Sequence, residues 1–179
     1  MSDAFKYQDL IEIFHATFFK STNTQLVAGD DEPIYLPASG VHTSHRIIFA
    51  HGFYASALHE VAHWLVAGEQ RRLLEDYGYW YEPDGRTALQ QAAFEKVEVQ
   101  PQAIEWAIAS ACGFTFDVSI DNLSGIDIDR FAFKKKVQQR VFSYLETGFS
   151  KRAEFFIDAC RQFYNVAPLT VANFQIKEK

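Results

Sequence analysis

The 179 residues include 17 Lys and Arg against 23 Asp and Glu, a formal net charge of −6, with 48% hydrophobic and 16% aromatic residues. This is the composition of a packed chain of one domain's length, here taken as a single domain over residues 1–179; it excludes a disordered protein. The acidic balance excludes a general binder of nucleic acid or anionic membrane, although local basic patches remain open. No apolar run approaches the roughly 18 residues of a membrane span. The N-terminal MSDAFKYQDL lacks the basic-then-apolar order of a signal peptide. Cys112 and Cys160 are too few for a disulfide scaffold and are not in metal-ligand spacing. A soluble cytoplasmic protein is expected.

In chain order, Tyr7, Leu10, Ile11, Phe14 and Phe18 share a helical face, predicting a first helix over residues 4–19 with Asp3 as its N-cap. Short strands are predicted at 24–27, 34–36 and 46–50, separated by GDDEP and PASG turns. The run FAHGFYASALHEVAHWLVAGE predicts a helix over 54–66 with Gly68 as its stop. DYGYWYEPDGR reads as a loop, and a helix follows from near Thr87. Pro101 is expected to reset the chain into a second, buried helix carrying Ile104, Ala107, Ile108 and Ala111. Two amphipathic helices close the chain. One carries Val137, Val141, Tyr144 and Leu145 and ends before Gly148; the other starts at Ser150 with Phe155, Phe156, Ala159 and Phe163 on its apolar face. The fold class is α+β, dominated by helices with a small sheet.

The motif with most chemistry is His59-Glu60-Val61-Ala62-His63. On a helix, positions i and i+4 lie on one face, so both imidazoles can reach one metal ion. Glu60 sits about 100° round the axis, beside a metal-bound water rather than on the metal. The plainer alternative is a pair of helical histidines satisfied by core hydrogen bonds. A site needs a third ligand, and spacing leaves several open: Glu95 and Glu98, one turn apart in FEKVEVQPQAIEW, then Glu105, Asp117, Asp121 and His51. His15, His42 and His45 read as bystanders. Two histidines with one carboxylate leave coordination positions open, which suits a zinc hydrolase or an iron(II) enzyme that uses dioxygen.

The segments GDDEPIYLPAS, RIIFAHGFYASALHEVAHW, DYGYWYEPDGR, FEKVEVQPQAIEW and VSIDNLSG together resemble the bacterial elongation factor P hydroxylase family, in order and over nearly the whole chain from Tyr7 to Pro168. The resemblance implies a cytoplasmic oxidoreductase that adds oxygen to the β-lysylated lysine of elongation factor P. It also implies a divalent metal, Fe(II) with Zn(II) as the alternative, held by His59, His63 and Glu98 with Glu60 beside them as the catalytic carboxylate. The choice of Glu98 over Glu95 comes from the family pattern alone.

A substrate ending in ammonium groups calls for acidic residues along its path, and Asp30-Asp31-Glu32 and Asp76, Glu82 and Asp84 are the candidates. Tyr77, Tyr79, Trp80 and Tyr81 are candidates for an aromatic wall. An acidic protein partner, elongation factor P, calls for a basic patch at Arg71-Arg72 or Lys134-Lys135-Lys136. Dioxygen is the expected co-substrate, with no nucleic acid or membrane partner. The alternative is a zinc-dependent peptidase or nuclease with Glu60 as general base; a module with a structural metal is disfavoured because the ligand set is open.

Overall fold

A computed structural model of the chain describes residues 5–76, 84–120 and 127–176. The expected N-cap Asp3, the aromatic wall Tyr77, Tyr79, Trp80 and Tyr81, Glu82, and the candidate ligand Asp121 lie outside the described residues. The architecture is the expected helix-dominated α+β arrangement with one three-stranded sheet.

Helix α1, Tyr7–Phe14, runs into a π-helical turn, His15–Phe19, and then a last turn, α2, Lys20–Thr22. A uniform α-helix was expected here. The wider turn sets Phe14 and Phe18 5.2 Å apart, with both rings about 5 Å from Trp64 (5.1 and 5.0 Å). Asn23, left-handed at φ 51°, ends the helix and turns the chain into the sheet.

Strand β1, Thr24–Ala28, pairs in parallel with β3, His45–Phe49, and β2, Ile34–Leu36, pairs antiparallel on the other side of β3. The buried Leu26 and Ile47 are register partners. After β3 the chain reverses through Ala50–Gly52, where His51 and Gly52 both adopt positive φ (54° and 64°). A Cβ on Gly52 would stand 3.1 Å from the Tyr7 ring, so space as well as dihedral favours glycine there. This turn aims helix α3, Tyr54–Val66, along the sheet.

The end of α3 departs from expectation. The chain leaves the helix at Ala67 in extended conformation, with no left-handed glycine. Arginines from elsewhere serve its last carbonyls: Arg152 Nη2 donates to Trp64 O (3.0 Å), and Arg72 Nη1 donates to Ala67 O.

Helix α4, Ala88–Cys112, is one helix of 25 residues rather than the two expected around Pro101. Its start is fixed by a capping box between Thr87 and Gln90. An interior proline forfeits one backbone bond and costs about 3 kcal/mol. Residues 101–109 are all buried, however, and side chains such as Ile104, Trp106 and Ile108 each contribute roughly 1.5–3 kcal/mol on burial. Burial therefore outweighs the break, and α4 runs through the core against α3, α5 and α6.

Helices α5, Arg130–Thr147, and α6, Lys151–Tyr164, begin at Asp129 and Ser150, whose side chains accept from the Ala132 and Ala153 N–H groups. The buried face of α6 consists of Ala153, Phe156, Ile157 and Cys160. Phe155 and Phe163, expected on that face, are 61% and 46% exposed. Only Phe156 of the three fits the stripe set by packing against α4. No helix among the described residues is long and apolar enough to cross a membrane.

Candidate metal centre

His59 and His63 leave α3 one turn apart, on the side facing α4. Glu98 meets them from α4, 1% exposed. His63 Nε2 lies 3.1 Å from His59 Nε2 and 3.2 Å from Glu98 Oε1, and His59 Nε2 lies 4.0 Å from Glu98 Oε2. One ligand atom from each residue falls within 4.8 Å of the other two. Ligand atoms about 3–4 Å apart suit a common ion bonded at roughly 2.0–2.2 Å, and two imidazoles with one carboxylate form a donor set for zinc or iron. The residues fit a metal.

The surrounding hydrogen bonds orient this set. Glu105 Oε2 lies 2.8 Å from His59 Nδ1, so the ring donates there and turns Nε2 towards His63 and Glu98. Gln102, fully buried, donates from Nε2 to Glu98 Oε2 (3.1 Å) and to Ser119 O (2.7 Å), while its Oε1 accepts from Ser119 N–H (3.0 Å). Glu98, Gln102 and Glu105 are spaced i, i+4 and i+7, so one face of α4 carries all three.

The electrostatics favour positive charge at the cluster. Burial disfavours a charged His59, but the carboxylates of Glu105, Glu98 and Glu60 overcome it and raise its pKa to about 10. Burial likewise opposes ionised Glu98, yet the hydrogen bond and charge of His63, the charge of His59 and the amide of Gln102 lower it to about 2. Glu60 differs. It is half-buried beside the cluster, and burial pushes its carboxyl up, opposed by His59 and His63 and reinforced by Glu98 and Glu105.

The other candidates fall elsewhere. Glu95 turns from the cluster to pair with Lys136 at 2.5 Å, and the mostly exposed Asp117 pairs with Lys134 (3.0 Å) and Arg130 (3.2 Å). His51 is exposed on its turn, outside the triad. His15 Nε2 accepts from Leu26 N–H (3.1 Å) and His45 Nδ1 from Ala38 N–H (3.0 Å), structural roles that match their reading as bystanders; His42 is exposed. Asp30, Asp31, Glu32 and Asp84 are exposed, whereas Asp76 lines a hollow with Glu60, His63, Tyr35, Arg71 and Arg72. Arg71 pairs with Asp76 at 2.6 Å, so Arg71-Arg72 belongs to this hollow rather than to an open patch.

Sequence reasoning did not single out Gln102, although its place between Glu98 and Glu105 on one helical face was available. Nor did it find Arg86, 1% exposed, whose Nε donates to Gln91 (2.9 Å) and Nη2 to Ile120 O, tying the start of α4 to the 116–120 segment.

The family model for elongation factor P hydroxylase matches residues 13–174. A protein of Haemophilus influenzae named elongation factor P lysine hydroxylase is 52% identical over 172 residues, 96% of this chain and 97% of its own length. With a match of that extent spanning both helices of the His59, His63 and Glu98 cluster, the chain belongs to the elongation factor P hydroxylase family.

Proposed function

We propose that this protein is a metal-dependent oxidoreductase that hydroxylates the β-lysylated lysine of elongation factor P, acting in the cytoplasm as a single domain. The convergence of His59 Nε2, His63 Nε2 and Glu98 on one point, in a chain of this family, carries the reading. Iron(II) held there would supply dioxygen activation, because three protein ligands leave positions free on one side.

The chain's own residues do the rest. Glu105 accepts the Nδ1 proton of His59 and fixes the tautomer that presents Nε2. Gln102 fixes the rotation of the Glu98 carboxylate through Oε2. Glu60, whose carboxyl is pushed up by burial, lines the hollow beside His63, where it could pass a proton to or from the reacting side chain. Asp76 lines the same hollow, where its carboxylate pairs with Arg71.

Mass spectrometry of β-lysylated elongation factor P incubated with the iron-loaded protein and dioxygen tests the reading. A gain of one oxygen mass is expected, lost in His59→Ala and His63→Ala variants together with the bound metal. The Glu60→Gln variant separates this chemistry from a hydrolase. It should keep metal and part of the hydroxylation, since no water needs deprotonating to make a nucleophile. Peptide cleavage by the wild type that vanishes in Glu60→Gln, without oxygen transfer in either, would identify a zinc hydrolase instead.

A further inference from the structure

We propose that Arg72 and Arg152 form an anion site at the C-terminal end of α3, one turn beyond the metal cluster, which takes a small oxyanion such as a carboxylate or inorganic phosphate. The two guanidiniums come from different parts of the chain: Arg72 from the 71–73 turn after α3, Arg152 from the first turn of α6. Arg152 lies over the Trp64 ring, its Cζ 3.7 Å from the centroid, and Arg72 lies 5.9 Å from the same centroid. Both also reach one carbonyl, that of Ala67.

Capping a helix end does not balance this charge. The C-terminus of a helix presents the equivalent of about half a negative charge, and two full positive charges converge on it. Among the described residues no carboxylate pairs with either arginine; of the two acids lining the hollow, Asp76 is engaged by Arg71 at 2.6 Å and Glu60 lies beside the metal cluster. Burial first, and then the charge of Arg72, lower Arg152 to about 10, opposed by Tyr35.

Unfilled hydrogen-bonding capacity gathers at the same place. Three buried side-chain donors among the described residues have no partner, and two of them are Arg152 Nε and Trp64 Nε1. Trp64 is 4% exposed and still forms part of the hollow's wall, together with Tyr35, Ala67 and Arg72; Glu60 and Asp76 line the same hollow, and Arg152 meets it across Trp64 rather than as a lining residue. The hollow is a small cavity of about 30 Å³ that opens to solvent. Guanidinium forks match the geometry of carboxylate and phosphate oxygens, and an anion here would engage unfilled donors and offset surplus charge together.

The site stands independently of the hydroxylase reading, and its test does not use turnover. Calorimetric titration of the full-length protein with inorganic phosphate and with succinate, at constant ionic strength and with chloride as the control, would be run on metal-loaded and chelator-treated protein. Saturable binding of at least one oxyanion is expected in both states, about tenfold or more tighter than chloride. Which anion binds identifies the class. Arg72→Gln and Arg152→Gln should each weaken it by about tenfold. Arg72 sits on a surface turn outside the core, so its variant keeps the test valid if Arg152→Gln does not fold. Absence of saturable binding, binding confined to the metal-loaded state, or binding unchanged in a folded Arg72→Gln variant would overturn the proposal.

Discussion

Glu98 and Glu95 are one turn apart on α4, yet their surroundings differ in kind. Glu98 is buried against two imidazoles and an amide, whereas Glu95 is tied to Lys136 at the edge of α5. Glu98→Ala should therefore lose metal, while Glu95→Ala retains it, as equilibrium dialysis with the metal would show. Loss in the Glu95 variant instead would mean that α4 presents its other face to α3. Glu105 would be a positioning residue: it touches His59 Nδ1 and would reach a bound ion only through that ring. Glu105→Gln keeps a hydrogen-bonding side chain of the same size but withdraws the charge that makes the ring a strong donor. Outer-shell changes of this kind typically cost about 10–100-fold in metal affinity or activity. An affinity within twofold of wild type would remove Glu105 from the site. A weakened metal affinity that titrates back at high metal concentration, with hydroxylation restored, would separate positioning from chemistry.

At the scale of elements, α6 offers a direct test of packing. Phe155 and Phe156 are neighbours in sequence, but one is 61% exposed and the other fully buried against Phe14 (5.8 Å) and Phe18 (6.0 Å). Phe156→Ala should cost about 3–5 kcal/mol in chemical denaturation through the cavity it leaves. Phe155→Ala, on a solvated face, should stay within about 0.5 kcal/mol. Equal costs would restore the wider apolar stripe that the sequence suggested. The same aromatic cluster reaches the site, because Phe14 and Phe18 pack on Trp64, the residue after His63. A loss there would loosen the helix that carries both histidines.

For the whole molecule, the proposed metal joins α3 to α4 and so links the sheet-packed half of the core to the helical half. An ion that binds only the folded chain stabilises it by about 2.7 kcal/mol at a concentration one hundred times its dissociation constant. The melting temperature should rise with metal in the wild type, by about 2–4 °C for each kcal/mol in a chain of this length. The His63→Ala variant should not respond. A rise of the same size in that variant would place the stabilising ion somewhere other than the His59, His63 and Glu98 cluster.

What the sequence determined by itself was local. The spacing of His59 and His63 puts two imidazoles on one helical face whatever the rest of the chain does, because four residues make one turn. Thr87, Asp129 and Ser150 cap helices through bonds to residues three positions on, and the three strands lie within a residue of where turn chemistry set them. The proposed third ligand was not local. Glu95, Glu98 and Glu105 are chemically alike, and the family resemblance rather than spacing pointed to Glu98; only the rotation of α4 about its axis, set by burial of residues 101–109, turns Glu98 to the histidines, Glu105 to the back of His59 and Glu95 to Lys136. That burial also carries α4 through Pro101, against the local signal for a break. The convergence of Arg72 and Arg152, eighty positions apart, on the end of α3 is likewise a product of packing, since no pattern in a linear chain records which distant side chains share one helix terminus.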